Sequence, residues 1–306
     1  MKFGKITELE GVDFSLPKDH EDNVEFFEKT KNKRKLKPSL YLGTTGWANK
    51  DWNGIYYPEK TNSSSFLKHY AKMMDSIELN TTHYRIPELA SIQRWKSMVN
   101  DQFKFCPKIP QSISHRGKLT DKKGLLNNFI DVIQELGESL GICFIQLPDY
   151  YGVDKLGTLK HFLESLPSHI PFAVEIRNQN WFSHREIFRE FFQFLEFHQI
   201  SPVLSDVAGR RDVLHQRLST DKLIIRFVGN SLHSSDFQRL DEWILKLEDW
   251  FGKGLNEVHF FFHQPDIKLV PETMNYFIEK SNNRGILPKL KPILKIKPAN
   301  SQLELF

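Results

Sequence analysis

The sequence contains few cysteines, no long apolar run and little net charge, and each absence excludes a class of protein. Two cysteines, Cys106 and Cys143, occur in 306 residues, which excludes a disulfide scaffold and favours a reducing compartment. No run approaches the roughly 18 apolar residues that a membrane-spanning helix requires. Residues 1–14 also lack the apolar core of a signal peptide. We therefore expect a soluble, cytoplasmic protein with no membrane partner.

The net charge is only +4, so the chain as a whole is not a polycation that would bind nucleic acid through its overall charge. Basic residues are nevertheless concentrated in residues 31–37 and 284–297, each of which holds five lysines and arginines. Such local patches favour phosphates or acidic partners, including DNA. A solvated linker is the simpler interpretation of each patch taken alone, and both interpretations stay open.

The main positive feature is a series of eight short apolar runs, rich in β-branched and aromatic residues. Each run has a polar residue at or within a few positions of its end, and most runs are followed by a stretch of helical character. This alternation predicts the α/β class and a (β/α)₈ TIM barrel over residues 39–283, with an N-terminal extension (1–38) and a tail (284–306). The runs are Leu40–Trp47, Ser76–Asn80, Phe103–Pro110, Gly141–Pro148, Phe172–Asn178, Pro202–Asp206, Leu223–Gly229 and Val258–Gln264.

The two flanking segments are mostly polar and irregular. Residues 22–31 (DNVEFFEKTK) predict a short helix with Asp22 as its N-cap. The tail holds three prolines and five cations over residues 284–306, which is typical of an extended linker.

Polar side chains follow the strands at the edge where barrel enzymes place their active sites. Arg226 lies inside an apolar run, where a charge is rarely unpaired, so we expect a carboxylate partner across the barrel, either Glu78 or Glu175. Lys108 is suited to bind a phosphate or carboxylate, or to act as a base once desolvated. For any single residue, a charge-paired barrel lining is the alternative. The candidate set is Glu78, Asn80, Tyr84, Lys108, His115, Gln146, Glu175, Arg177, Asn178, Asp206, Arg226 and His263.

Aromatic residues are concentrated at the end of the first run and in the segment that follows it. Trp47 and Trp52 belong to a segment with two further rings, and Trp181 follows the fifth run. Flat rings on the active face suit stacking on a base or a sugar. The alternative is that they cover the mouth of the barrel and contact no ligand.

No metal is predicted, and the sequence does not reveal a cofactor. Glu78, Glu175, Asp206 and His263 are of the types that ligate metal ions, but no H-x-x-x-H or similar spacing occurs. The lysine and arginine residues expected at the same edge compete with a bound cation.

The strand ends resemble those of the YecE-like family, also called domain of unknown function 72. The resemblance spans Tyr41 to Gln264, and its motifs are specific in combination. It implies a TIM barrel with shared polar residues at the strand ends, and it implies no reaction, because the family is named for lacking one. Val228 stands where the family usually has histidine, and His263-Gln264 replaces an asparagine pair. The motifs are G-T-x-G-W at 43–47 with Trp52 and Tyr57-Pro58, I-E-L-N-x-T-x-Y-R-x-P at 77–87, F-K-F-x-x-K at 103–108 with Ser114-His115, Q-L-P at 146–148 and V-E-I-R-N-x-x-W at 174–181.

The last five residues show a second resemblance, to the Q-L-x-L-F pentapeptide that binds the bacterial sliding clamp. The Gln302 amide supplies hydrogen bonds, while Leu303, Leu305 and Phe306 supply apolar side chains for a cleft on the partner. This resemblance implies a sliding-clamp partner and a place in DNA replication or repair. The alternative is a tail that folds back on the barrel.

Three functions stay open, and the sequence does not decide whether the protein is an enzyme. The first is a hydrolase or lyase acting on a phosphorylated or nucleic-acid substrate, with Glu78 or Glu175 as base, His115 as acid and Asp206 in the catalytic set. The second is a glycosidase-like enzyme that uses Glu78 and Glu175. It is disfavoured because the second and fifth strands are expected to lie far apart. The third is a non-catalytic barrel that binds an anionic ligand through the same cations.

Overall fold

The predicted barrel is confirmed. A computed structural model describes residues 6, 8–33, 37–116, 119, 124–285 and 287–295, and it contains one strand within or overlapping each predicted run. The strands are β1 Ser39–Thr44, β2 Ser76–Leu79, β3 Lys104–Pro107, β4 Cys143–Gln146, β5 Phe172–Glu175, β6 Ser201–Val207, β7 Lys222–Val228 and β8 Glu257–His263. All paired neighbours are parallel, in the order β3-β2-β1-β8-β7-β6-β5-β4.

Strands β3 and β4 close the barrel through backbone hydrogen bonds. Gly141 N donates to Phe105 O over 2.7 Å, and Ile109 N donates to Phe144 O over 3.0 Å. The close approach requires glycine at position 141, since a Cβ there would lie 2.7 Å from the Cys106 sulfur. The sheet therefore curls into a nearly closed (β/α)₈ barrel of the α/β class.

Helices cover the outside of the barrel, except along the connection from β6 to β7. Residues 208–221, all of which the structure describes, contain a 3₁₀ turn at Arg211–Val213 and no α-helix. None of the helices in the described part of the chain is long and apolar enough to cross a membrane. The helices are α1 Asn23–Thr30, α2 Phe66–Tyr70, α3 Thr81–Tyr84, α4 Leu89–Lys96, α5 Gln111–Ser114, α6 Leu125–Ile133, α7 Leu156–Glu164, α8 Asn180–Ser183, α9 Arg185–Phe197, α10 Ser234–Lys253 and α11 Val270–Arg284.

The N-terminal extension packs against the connection that lacks a helix. Asn23 Nδ2 donates to Gln216 O over 2.6 Å, and Leu218 N donates to Asn23 Oδ1 over 3.0 Å. The predicted helix forms as α1 with Asp22 at the predicted N-cap position. The Asp22 side chain makes no capping hydrogen bond and instead accepts from Arg189 of α9 over 2.9 Å. The described part of the extension therefore packs against the side of the barrel where no helix connects the strands.

The first part of the tail packs along α11, so the prediction of an extended linker is wrong for residues 287–295. Leu287, Leu290 and Ile293 are buried. Asn282 exchanges hydrogen bonds of 2.8 and 2.9 Å with the Leu290 backbone, and Asn275 exchanges bonds of 2.9 and 2.8 Å with the Ile293 backbone. Residues 296–306 lie outside the described residues.

Strand side chains alternate between the barrel interior and the surrounding helix layer. Strands β5, β6 and β7 each have an apolar side chain that faces the barrel interior. Two residues further along, on the same face, they carry Glu175, Ser205 and Arg226. The alternation therefore aims three polar side chains into the barrel at the carboxyl ends of the strands. The buried apolar cluster in the middle of the barrel contains Cys106, Ile142, Phe144, Ala173, Val203, Ile224 and Phe261.

Candidate functional site

Arg226 on β7 is the centre of a buried charge network inside the barrel. Its Nε and Nη2 donate to the two oxygens of Glu78 on β2, each over 2.9 Å, and its Nη1 donates to Glu175 Oε1 on β5 over 3.2 Å. None of the three side chains is more than 1% exposed. The prediction that Arg226 has a carboxylate partner is confirmed, and both candidates, Glu78 and Glu175, pair with it.

Glu175 is held by three further donors besides Arg226. It accepts from Gln146 Nε2 over 2.5 Å, from Ser205 Oγ over 2.5 Å and from Arg177 Nε over 2.8 Å. Burial raises the pKa of Glu175, but Arg177 and Arg226 outweigh burial and lower the pKa to about 2. Glu175 is therefore a fixed, ionised carboxylate at neutral pH.

Glu78 is ionised for the same reason. Burial raises its pKa, and Arg226 overcomes this effect and holds the pKa well below its ordinary value. Asn80 Nδ2 donates to Glu78 Oε1 over 2.9 Å. His263 Nε2 lies 3.7 Å from Glu78 Oε2, and it makes no hydrogen bond with the residues that the structure describes. The structure therefore brings the predicted residues Asn80 and His263 to the network.

Lys108, just beyond β3, extends the network toward the neighbouring strand. Its Nζ donates to Gln146 Oε1 over 2.6 Å, and the other end of the same amide donates to Glu175. The Lys108 side chain is buried, and it forms no salt bridge with any residue in the described ranges. Burial, followed by the positive charge of Arg226, lowers the pKa of Lys108 to about 8.

Two histidines lie close together near Lys108. The ring centroids of His83 and His115 are 5.0 Å apart. His83 Nδ1 contacts Ile109 O over 2.8 Å, and His115 Nδ1 contacts Ser114 Oγ over 2.9 Å. Burial, followed by the charge of Lys108, lowers the pKa of both histidines to about 4. Both imidazoles are therefore neutral at pH 7, and the predicted set contains only one of them.

Asp206 lies on the outer face of β6, away from the network. Its carboxylate accepts from Arg239 Nη1 over 2.9 Å and from Trp243 Nε1 over 2.8 Å, and it also pairs with Arg211. Its neighbour Ser205, which the sequence prediction omits, takes the inward position because a strand alternates. Of the four side chains considered as metal ligands, Asp206 therefore lies apart from Glu78, Glu175 and His263. Among the described residues, no group of three His, Cys, Asp or Glu side chains is arranged to hold a metal ion.

The predicted aromatic ligand platform is not assembled. Trp52 and Trp181 are fully buried, and their Nε1 atoms donate to Ile267 O over 3.3 Å and to Tyr151 O over 2.8 Å. Trp47 packs against the hydrophobic core outside the barrel. The prediction of ring stacking is therefore wrong for Trp52 and Trp181, since neither exposes a ring face. These two rings are enclosed within the protein.

Tyr84 and Asn178 lie near the strand ends but do not join the network. Tyr84 is 74% exposed, and its ring lies 5.4 Å from that of His83. Asn178 shapes the loop after β5, because its Nδ2 donates to Asp149 O over 2.6 Å and its Oδ1 accepts from Asn180 N over 2.9 Å. The predicted clamp-binding residues Gln302, Leu303, Leu305 and Phe306 lie outside the described residues.

The fold and this network define a TIM-barrel protein whose buried charged residues lie at the carboxyl ends of its strands. Residues 41–295 match the family described as "Protein of unknown function DUF72", and the chain belongs to this family. The UPF0759 protein YecE of Escherichia coli strain K12 is 27% identical over 280 residues, which cover 86% of this chain and 99% of that protein. The UPF0759 protein YunF of Bacillus subtilis strain 168 is 28% identical over 155 residues, covering 47% of this chain and 52% of that protein.

A solved structure shows the same fold. The crystal structure of a DUF72 family protein from Enterococcus faecalis V583 aligns with a TM-score of 0.62 at 19% identity, covering 80% of this chain and 98% of that chain. At this identity the likeness concerns the fold alone. The family membership predicted from the strand-end motifs is confirmed by the family match.

Proposed function

We propose that the protein binds a phosphorylated or other anionic ligand at the carboxyl ends of the barrel strands. The observation that carries this proposal is a buried cation, Lys108, that forms no salt bridge with any residue that the structure describes. Arg177 and Arg226 pair with Glu175 and Glu78, whereas Lys108 contacts only the amide oxygen of Gln146 within the network. Buried charges are stable only when they are compensated. A phosphate group supplies the missing negative charge and several strong acceptors.

Lys108 and Arg177 are the ligand-binding cations in this proposal. Arg226 is already engaged, because Nε, Nη1 and Nη2 each donate to a carboxylate. It therefore orients Glu78 and Glu175 and does not hold the ligand. Lys108 is bound to a neutral amide oxygen, and Arg177 lies two residues beyond Glu175, the last residue of β5. These two residues mark the side of the network on which an anion is expected.

This proposal differs from the sequence analysis in the catalytic roles that it gives to Glu78 and Glu175. Glu78 and Glu175 are poor bases, because their pKa values are strongly depressed and their oxygens accept hydrogen bonds. A glycosidase needs one protonated carboxylic acid, and neither Glu78 nor Glu175 provides it. The two carboxylates are nevertheless closer together than the sequence suggested, because both pair with Arg226. Any hydrolysis of the bound ligand would use neutral His115 or His83 as the base.

Calorimetric titration with inorganic phosphate, pyrophosphate and nucleoside monophosphates tests the proposal. Lys108→Met removes the charge that we expect to contact the ligand. Lys104→Met removes the same charge at the other end of β3, where Lys104 contacts Glu138 O at the surface. We expect saturable binding by the native protein and by Lys104→Met, and a loss of about tenfold or more in Lys108→Met.

Equal affinity of the two variants would contradict the proposed site. The absence of saturable binding for every anion in the native protein would overturn the proposal as a whole. A circular dichroism spectrum of each variant shows whether the fold is intact.

We further propose that residues 302–306 tether the barrel to the bacterial sliding clamp. The support is the pentapeptide sequence, in which Gln302 precedes two leucines and a final Phe306. Residues 287–295 pack on α11 and therefore add nothing to the reach of the pentapeptide. Binding of purified clamp should be lost when the chain ends at Ser301 and retained when Leu294, which is 70% exposed, is changed to Ala. Unchanged clamp binding by the shortened chain would contradict the tether.

A further inference from the structure

Lys108 has the surroundings of a reactive amine. Its side chain is 4% exposed, yet its partner in the described network is an amide oxygen, Gln146 Oε1, and no carboxylate. The orientation of that amide is fixed, because Gln146 Nε2 donates to the Glu175 carboxylate over 2.5 Å. The amide oxygen therefore always points at Lys108 Nζ. It positions the nitrogen without adding the negative charge that would keep the nitrogen protonated.

The electrostatics agree with this geometry. Burial and the nearby Arg226 guanidinium lower the pKa of Lys108 to about 8, so a fraction of the side chain is the neutral amine at neutral pH. A lysine that is desolvated and placed beside another cation is the type of lysine that attacks carbonyl carbons.

We infer that Lys108 forms an imine with a carbonyl compound that carries a phosphate group. The inference rests on the proposed function, because the phosphate is the part of the compound that Arg177 would hold. The same two side chains then have different tasks: Arg177 binds the anion, and Lys108 faces the carbonyl carbon.

The reaction is balanced without any further reagent. The neutral Lys108 amine attacks the carbonyl carbon, a carbon–nitrogen bond forms and the carbonyl oxygen becomes a hydroxyl group. The hydroxyl group then leaves as water, which carries both hydrogens of the amine, and the carbon–nitrogen double bond forms. His115, which burial keeps neutral by lowering its pKa, is suited to accept a proton from the nitrogen and return it to the leaving oxygen.

Reductive trapping tests this chemistry on the full chain. The protein is mixed with glyceraldehyde 3-phosphate and sodium cyanoborohydride, and the modified lysines are located by mass spectrometry of its peptides. Glyceraldehyde, which has the same carbonyl group and no phosphate, is the matched compound. An oligonucleotide with an abasic site has a sugar aldehyde flanked by phosphates. It tests whether DNA can supply the carbonyl group and the phosphate.

We expect a reduced adduct on Lys108 that forms at least tenfold faster with the phosphate than without it, and that excess inorganic phosphate suppresses. The Lys108→Arg variant keeps the positive charge and should lose this adduct. An adduct on Lys108 with the oligonucleotide alone would also support the imine and would place the carbonyl in DNA. Adducts on surface lysines but none on Lys108 of the native protein would overturn the inference, and that result does not depend on whether a variant folds.

Phosphate binding measured on the same samples separates the two proposals. Phosphate binding without an adduct on Lys108 would overturn the imine and leave the anion site standing. Equal trapping of Lys108 with both sugars, together with no phosphate binding, would overturn the anion site and with it the requirement for a phosphate.

Discussion

Arg226 and Glu78 face each other across the barrel interior with two nitrogen–oxygen distances of 2.9 Å. They lie on β7 and β2, three positions apart in the sheet order, so the pair joins different parts of the wall. A buried ion pair adds little stability relative to apolar packing, but leaving one partner alone is costly. The integrity of the barrel is therefore linked to the integrity of the site.

The first prediction concerns this pair. Arg226→Met leaves two buried carboxylates without their shared cation, and the free energy of unfolding should fall by about 3–5 kcal/mol. Urea denaturation measures the change. Glu88→Gln is the control, because Glu88 forms an exposed pair with Arg85 and should change stability by no more than about 1 kcal/mol. Equal effects of the two substitutions would contradict the buried network.

The second prediction concerns acid. The pKa of Glu175 is about 2 in the folded protein, against an ordinary value of 4.5. Its contribution to stability is therefore present above pH 4.5 and lost as the pH falls toward 2. Glu175→Gln lacks this contribution at every pH. The difference in unfolding free energy between the native protein and this variant should narrow below pH 4.5, and a constant difference down to pH 2 would count against the assignment.

The third prediction concerns alkali and His259, which lies inside the barrel below the charge network. His259 Nδ1 lies 3.0 Å from Ser76 Oγ and 3.4 Å from Cys106 Sγ, and its Nε2 lies 3.0 Å from Glu257 Oε1. Burial lowers the pKa of His259, but Cys106 and Glu257 outweigh burial and raise it from 6.5 to about 9. Its stabilising contribution is thus complete below pH 6.5 and lost as the pH rises through 9.

Nuclear magnetic resonance of the histidine ring carbons measures this directly. One resonance, absent in His259→Gln, should titrate with a midpoint near 9. A midpoint for that resonance at or below 6.5 would show that the neighbouring groups do not hold the proton.

The fourth prediction concerns the seam that closes the barrel. Gly141→Ala places a Cβ 2.7 Å from the Cys106 sulfur and 3.1 Å from Phe105 O, so the free energy of unfolding should fall by about 1–3 kcal/mol. Gly157→Ala is the matched substitution, because its Cβ meets nothing within 4 Å on α7 and should stabilise the helix by about 1 kcal/mol. Thermal unfolding compares the two, and a destabilised Gly157→Ala would contradict the prediction.

The barrel could be predicted from the sequence because its evidence is local. Each apolar run has the length and composition of a strand, and eight of them recur along the chain. The partner of Arg226 could also be predicted, since a charge in an apolar strand leaves few choices. Asp206 shows the limit of this reasoning. Its partners Arg239 and Trp243 lie 33 and 37 residues away, and only the register of β6 decides whether it or Ser205 faces inward.

The prediction that the aromatic residues stack on a ligand was wrong for a related reason. Trp52 and Trp181 occur in loops, where exposure is the usual expectation, but their rings are enclosed by distant segments. The Trp52 ring donates to Ile267 O, 215 residues further along the chain. No local pattern reveals such an enclosure. His83 was left out of the candidate set, but the sequence could have identified it, because it lies between Asn80 and Tyr84 in the same strand-end motif.

The docking of the N-terminal extension has a consequence for how the protein is made. Asp19 is held by Lys246 over 2.6 Å, and Asp22 is held by Arg189, at separations of 227 and 167 residues. During synthesis the extension therefore leaves the ribosome long before α9 and α10 exist. Such distant contacts slow folding, because the chain must close large loops before any contact is gained. The outer wall beside β6 is completed late, and until then the nascent chain exposes apolar surface that a chaperone can recognise.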